Sequence, residues 1–213
     1  MRDRFPAALL AIVVLVLVWS SVAPHDRITW LLEVFPVLIG APLLIVTYRR
    51  FPLSRLSYLL IAIHAVILMI GGKYTYALVP LGDWVSDALG LARNHYDRLG
   101  HFAQGFVPAI LAREILLRTS PLRRGGWLRF IIVSICLAIS ASYELIEWVY
   151  AAIGGEGSED FLGMQGDIWD AQKDMLLALI GAVTALLTLS RVHDRSMSSA
   201  GIASGETMNG SQS

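Results

Sequence analysis

TWLLEVFPVLIGAPLLIVTY, residues 29–48, carries one carboxylate, Glu33, and no basic side chain in twenty positions. A helix of ~20 residues crosses the hydrocarbon of a bilayer, so this stretch alone predicts a transmembrane span. Five further runs read the same way: 7–23 (AALLAIVVLVLVWSSVA), 56–72 (LSYLLIAIHAVILMIGG), about 101–117, 128–151 and about 172–190. The chain is 55% hydrophobic and 16% charged, with a mean hydropathy of +0.60, and a soluble domain ordinarily carries more charge than this. The fold class is therefore all-α, a polytopic membrane protein with about six transmembrane helices in one bundle. Residues 1–195 form the transmembrane domain, and the Ser- and Gly-rich stretch 196–213 reads as a disordered cytoplasmic tail. The segment 74–94, with Pro80, Asp83 and Asp87, predicts a loop with a short interfacial or re-entrant helix. The basic, apolar start resembles a signal peptide, but its apolar run is long and more spans follow, so an uncleaved first helix is expected.

Charge sets the orientation. Arg2 and Arg4, then Arg49, Arg50 and Arg55, then Arg118, Arg123, Arg124 and Arg129, and finally Arg191 and Arg195 lie in alternate connections and at both ends. By the positive-inside rule these segments face the cytoplasm, both termini included. The 151–171 loop holds Glu156, Glu159, Asp160, Asp167 and Asp170 without Lys or Arg, and faces outward. Because topology accounts for the arginines, nucleic acid is not an expected partner; the bilayer is.

This topology gathers ionisable groups at the outer end. Asp97 and His101 share a helix face at i, i+4; Glu144 and Glu147 share another at i, i+3; Asp167, Asp170 and Asp174 open the last span. Carboxylates near hydrocarbon are costly and call for a reason. Helical bundles hold divalent metals with carboxylates and a histidine at this spacing. His101, Glu144, Asp170, Asp174 and Asp97 are the candidate metal ligands, and Glu147 or Asp167 the candidate general base. A divalent metal ion is the one cofactor the pattern suggests. Plainer readings stand beside this one. Asp167, Asp170 and Asp97 suit helix caps, and Asp97 suits an ion pair with Arg93. Glu144 and Glu147 lie at a helix C-terminus, where the dipole disfavours negative charge and a structural role explains less. Glu33 either joins the site or reaches the interface; Arg98 and Lys73 either meet an anionic headgroup or balance local carboxylates.

Elsewhere, His64 reads as a hydrogen-bonded packing histidine and Arg113 as a snorkelling cation. Gly181 with Ala185, and Ala138 with Ser142, read as close-packing pairs. Cys136 is the single cysteine, which excludes an intrachain disulfide and a cysteine-rich metal site. The sequence contains no phosphate-binding glycine loop, serine nucleophile elbow or His-Glu-x-x-His zinc motif.

The stretches RNHYDRLGHFAQGF (93–106), SYELIEWVY (142–150) and FLGMQGDIWDAQKDMLLALIGA (161–182) resemble the signature of the YjdF-like family of bacterial inner-membrane proteins, over about 5–190. The resemblance implies a multi-pass protein of the bacterial inner membrane. A looser likeness is to VanZ-like membrane proteins, which share an Asp-x-x-x-His-Phe helix opening and point towards envelope chemistry. Three functions stay open. One is a metal-dependent enzyme acting on a lipid-linked envelope substrate. Another is a structural or accessory membrane protein, and the third a proton- or cation-coupled transporter.

Overall fold

The computed structural model describes residues 4–154 and 167–201. Its regular elements, among the described residues, are all helical: α1 (Phe5–Ser21), α2 (Arg27–Thr47), α3 (Arg55–Tyr74), a 3-10 turn (Tyr76–Leu78), α4 (Pro80–Leu89), α5 (Tyr96–Thr119), α6 (Gly126–Gly154) and α7 (Asp170–Ser199). Four helices, α2, α3, α6 and α7, are long and apolar enough to cross a membrane, and α1 is a shorter apolar helix of 17 residues. Helix α5 has 24 residues but carries Asp97, Arg98, His101, Arg113, Glu114 and Arg118. This is the architecture of a polytopic membrane protein. Large apolar side chains such as Leu15, Val46, Trp127 and Leu187 point outward at 70–78% exposure, the surface a hydrocarbon surround requires.

Local chemistry fixes the helix ends. Asp26 caps α2 by accepting from the Thr29 amide at 2.7 Å, and Ser54 caps α3 by accepting from the Ser57 amide at 3.3 Å. Pro6 sits in the first turn of α1, where its missing N–H costs nothing. The 74–94 segment forms the 3-10 turn and the short helix α4, whose Trp84 is exposed.

Helix α5 is the centre of the bundle, packed against α3, α6 and α7, while α1 and α2 lie on α3. One apolar cluster joins Ile110 and Leu117 of α5, Ile132 and Cys136 of α6, and Ala182, Ala185 and Leu186 of α7. A second joins Val13, Val34, Val37, Ala62, Leu68 and Met69 of α1, α2 and α3. The backbones of α5 and α7 are in close contact. A Cβ on Gly105 would run into the Ala178 carbonyl, and one on Gly181 into the Phe102 carbonyl. Gly181 and Ala185 thus act as the close-packing pair their spacing predicts, whereas Ala138 and Ser142 lie on an exposed face of α6.

Three details differ from expectation. Helix α7 continues to Ser199, four residues into the stretch read as tail. It is held there by Met197, 2% exposed in the core, and by Ser196, whose hydroxyl accepts from the Leu56 amide at 3.1 Å. The Nε2 of His64 is enclosed without a hydrogen-bond partner among the described residues, so this histidine is placed by packing. Finally, Lys73 turns back on its own chain: its ammonium donates to the Val22 carbonyl at 2.7 Å and lies 4.9 Å from the centre of the Trp19 ring.

Candidate functional site

Chain direction puts the start of α5, the end of α6 and the start of α7 at one end of the bundle, here called the acidic end. Asp97 and His101 are one turn apart on the buried face of α5, with His101 Nε2 3.4 Å from Asp97 Oδ1. Asp174, 2% exposed, faces them from α7. One ligand atom each from Asp97, His101 and Asp174 lies within 4.8 Å of the other two. Glu144 of α6 brings Oε1 to 3.7 Å from His101 Nδ1, and this oxygen is enclosed with no hydrogen-bond partner among the described residues. Gln104, one turn further along α5, has Oε1 3.2 Å from the same ring nitrogen.

A cavity of about 20 Å³ opens beside this group, lined by Glu33, Tyr76, Asp97, His101, Tyr143 and Glu147 together with Leu68, Gly100 and Gln104. That volume accommodates a single water molecule or ion, which needs roughly 10–15 Å³. Tyr76 is wedged between helices because Gly71 and Gly100 leave room for its ring, and its hydroxyl reaches Glu33. Glu33 is therefore part of the site, 7% exposed. Tyr76, Tyr143 and Gln104 escaped the sequence reading. For Gln104 the signal was present, since it follows His101 at i+3.

The remaining aspartates belong to a second arrangement. Asp170 Oδ1 accepts from Arg93 at 2.9 Å and from Arg98, and Arg98 also bridges to Asp174. Asp167, outside the helices, accepts from Lys173 at 2.6 Å and lies 3.4 Å from Arg98 and 3.6 Å from Arg93. The Lys173 hydrogen bond, then the Trp169 amide, hold its carboxyl below the usual aspartate range. These arginines offset the repulsion that such a cluster would otherwise suffer. The capping roles are absent in the expected form. The α5 and α7 N-caps are His95 and Trp169, neither making a side-chain cap, while Asp167 Oδ1 accepts from Trp169 N at 3.1 Å just ahead of α7. His95, the residue before α5, is held below the usual histidine range by partial burial and then by Arg93 and Arg98. Gln165, Gly166 and the acidic residues Glu156, Glu159 and Asp160 lie outside the described residues.

The opposite, basic end holds a second buried network. Glu114, fully buried, accepts from Ser54 N at 2.8 Å, Ser57 Oγ at 2.6 Å and Arg118 at 2.9 Å. His193 of α7 has Nε2 3.0 Å from Glu114 Oε2 and Nδ1 2.9 Å from Arg113. Arginine only donates, so Nδ1 accepts and Nε2–H donates to Glu114. Arg113 is 4% exposed and pairs at 2.8 Å with the half-buried Asp194, so it is a buried, partnered cation rather than one reaching to the surface alone. The expected end of the last span at 190 stopped short of His193 and Asp194; the helix continues through both, with His193 fully buried against α5 and Asp194 paired with Arg113 and Arg124.

The protein-family model described as "Predicted membrane protein (DUF2238)" matches residues 5–195. The Inner membrane protein YjdF of Escherichia coli (strain K12) is 52% identical over 191 residues, covering 90% of this chain and 91% of the relative. No solved structure matches. It is the YjdF-like resemblance, of the two read in the sequence, that these matches carry. A family match across both polar ends and every membrane helix, with a relative aligned over nearly its full length, makes this chain a multi-pass inner-membrane protein belonging to the DUF2238 family, to which the description "predicted membrane protein" is attached.

Proposed function

We propose that the chain spans the membrane six times with both termini in the cytoplasm, and that its acidic end is an outer-face site for a divalent metal ion. The observation that carries this reading is the convergence of Asp97, His101 and Asp174 within 4.8 Å, next to an enclosed Glu144 oxygen that lacks a partner among the described residues. A set of oxygen donors with one imidazole suits zinc, manganese or iron. Five carboxylates, Glu33, Asp97, Glu144, Glu147 and Asp174, against Arg98 and His101, favour an added cation. Asp170 and Asp167 position Arg98 and Arg93 around the ligands.

With Asp97, His101 and Asp174 holding a metal, the site would support hydrolysis of a lipid-linked envelope substrate, water adding at the reacting centre as the bond to the leaving group breaks and that group takes up a proton. A bound metal lowers the pKa of water. The cavity has room for a water molecule, and Glu147 on its wall would be the group placed to accept its proton. Leu145 and Trp148, beside Glu144 on α6, are 61% and 65% exposed towards lipid. Under the proposed topology the outer leaflet would lie beside this face of α6, where a lipid-linked substrate would approach. Conduction is less well supported: between Gln104 and Arg113, α5 buries Val107, Ala109 and Ile110, an apolar layer separating the two polar ends.

Elemental analysis of detergent-purified protein tests this. The wild type is expected to carry stoichiometric zinc, manganese or iron. Asp97→Asn and His101→Gln should lose the metal while remaining folded, and Asp167→Asn should retain it. A well-folded wild type that stays metal-free after reconstitution would sink the reading and leave the arginine–aspartate cluster as a structural clamp.

A further inference from the structure

At the basic end, α1 and α2 part company. Near the acidic end they touch, the Trp30 indole donating to Ser20 Oγ at 3.1 Å. Towards the other end a groove of about 350 Å³ opens between them, floored by α3. This is within the size range of small-molecule pockets, roughly 300–1,000 Å³. Its walls are almost wholly apolar: Leu9 and Leu10 of α1, Leu44 and Ile45 of α2, with Ala41 and Ala62 leaving the space. Its mouth is not. Arg4, Tyr48 and Tyr58 rim it, and exposed Arg49 and Arg50 follow directly on Tyr48. From Arg4 to Arg55 the chain's acidic residues are Asp26 and Glu33, and both lie at the far end of these helices. The Tyr58 hydroxyl accepts from the Leu53 amide at 3.1 Å, which leaves its own proton available to donate.

An apolar slot at membrane depth, ending in phenols and arginines, matches one amphiphile: an acyl chain below an anionic phosphate. We infer that this groove is a binding site for an anionic phospholipid, its acyl chain between α1 and α2 and its phosphate on Arg4, Arg49 and the tyrosine hydroxyls. Assigning it to the inner leaflet rests on the proposed topology; the binding itself does not. The lipid supplies the packing that α1 and α2 do not give each other at this end.

Native mass spectrometry of the detergent-solubilised full chain tests it, with dioleoylphosphatidylglycerol and dioleoylphosphatidylcholine as probes. The wild type is expected to retain the anionic lipid preferentially. Losing one surface arginine, in Arg4→Gln or Arg49→Gln, should cut that preference about fivefold, as one cation near a lipid phosphate does. Ala41→Phe, which fills the slot from a lipid-facing position, should abolish retention. Equal retention of both lipids, anionic-lipid retention unchanged in Ala41→Phe and the arginine variants, or a second copy of the chain in place of lipid would each overturn the proposal. Because the measurement is made in detergent, an inverted topology would not disturb it.

Discussion

At the scale of single residues, a buried charge is only as safe as its partners. Glu114, fully buried, accepts from two serines, an arginine and a histidine. Glu114→Ala should therefore destabilise by about 3–5 kcal/mol, because it leaves the buried Ser54, Ser57 and His193 donors without their acceptor. A thermal melt in detergent with an unchanged midpoint would contradict this. Asp167 offers a milder test. Its carboxyl is held low in the fold by Lys173 and the Trp169 amide, so the unfolded chain binds the proton more readily. The contact stabilises above the ordinary aspartate pKa, and its contribution fades as pH falls through the depressed value. In Lys173→Met the carboxyl should titrate nearer its usual range, as followed by carbon NMR of that side chain; an identical titration would remove Lys173 as the cause. Residue types and spacings made Asp97, His101, Glu144 and Asp174 legible as a group. Spacing names a helix face but not what faces it, so nothing in the sequence divided the aspartates between His101 and the two arginines.

At the scale of elements, the contact of α5 with α7 decides where everything else goes. Gly105 and Gly181 let two backbones meet, and the meeting sets Asp174 against His101 at one end and His193 against Glu114 at the other. Gly105→Ala should cost about 1–3 kcal/mol, since its methyl group must displace a carbonyl. Trimming the facing side chain, in the double variant with Ala178→Gly, should not restore stability, because the obstacle is main chain. Full recovery in thermal melts would show the helices to be less closely set. The small-residue pair on α7 was readable from its spacing, and the apolar runs gave the membrane helices. What misled was length: an apolar window ends where polar residues begin, yet α7 continues through His193 and Asp194 because partners on α5 await them.

For the whole molecule, the distribution of arginine predicts which end faces which compartment. Cys136 is fully buried, so engineered cysteines can be read against a quiet background. Ile168→Cys, at a position 82% exposed near the acidic end, should react in intact cells with a membrane-impermeant maleimide. Trp127→Cys, at a position 75% exposed near the basic end, should react only after the membrane is opened. The reverse pattern would invert the topology and place the Asp97–His101–Asp174 group on the cytoplasmic side.

Helix α5 raises a question of biogenesis. It carries six charged or ionisable side chains from Asp97 to Arg118, and α7, synthesised after it, packs along it and meets the buried ones at both ends. A segment so polar gains little by entering lipid alone. Its stable insertion is therefore expected to depend on α7 as well as on α3. A chain truncated before residue 170 would leave α5 stranded with its glycine seam and both ionic ends uncovered, a substrate for membrane quality control.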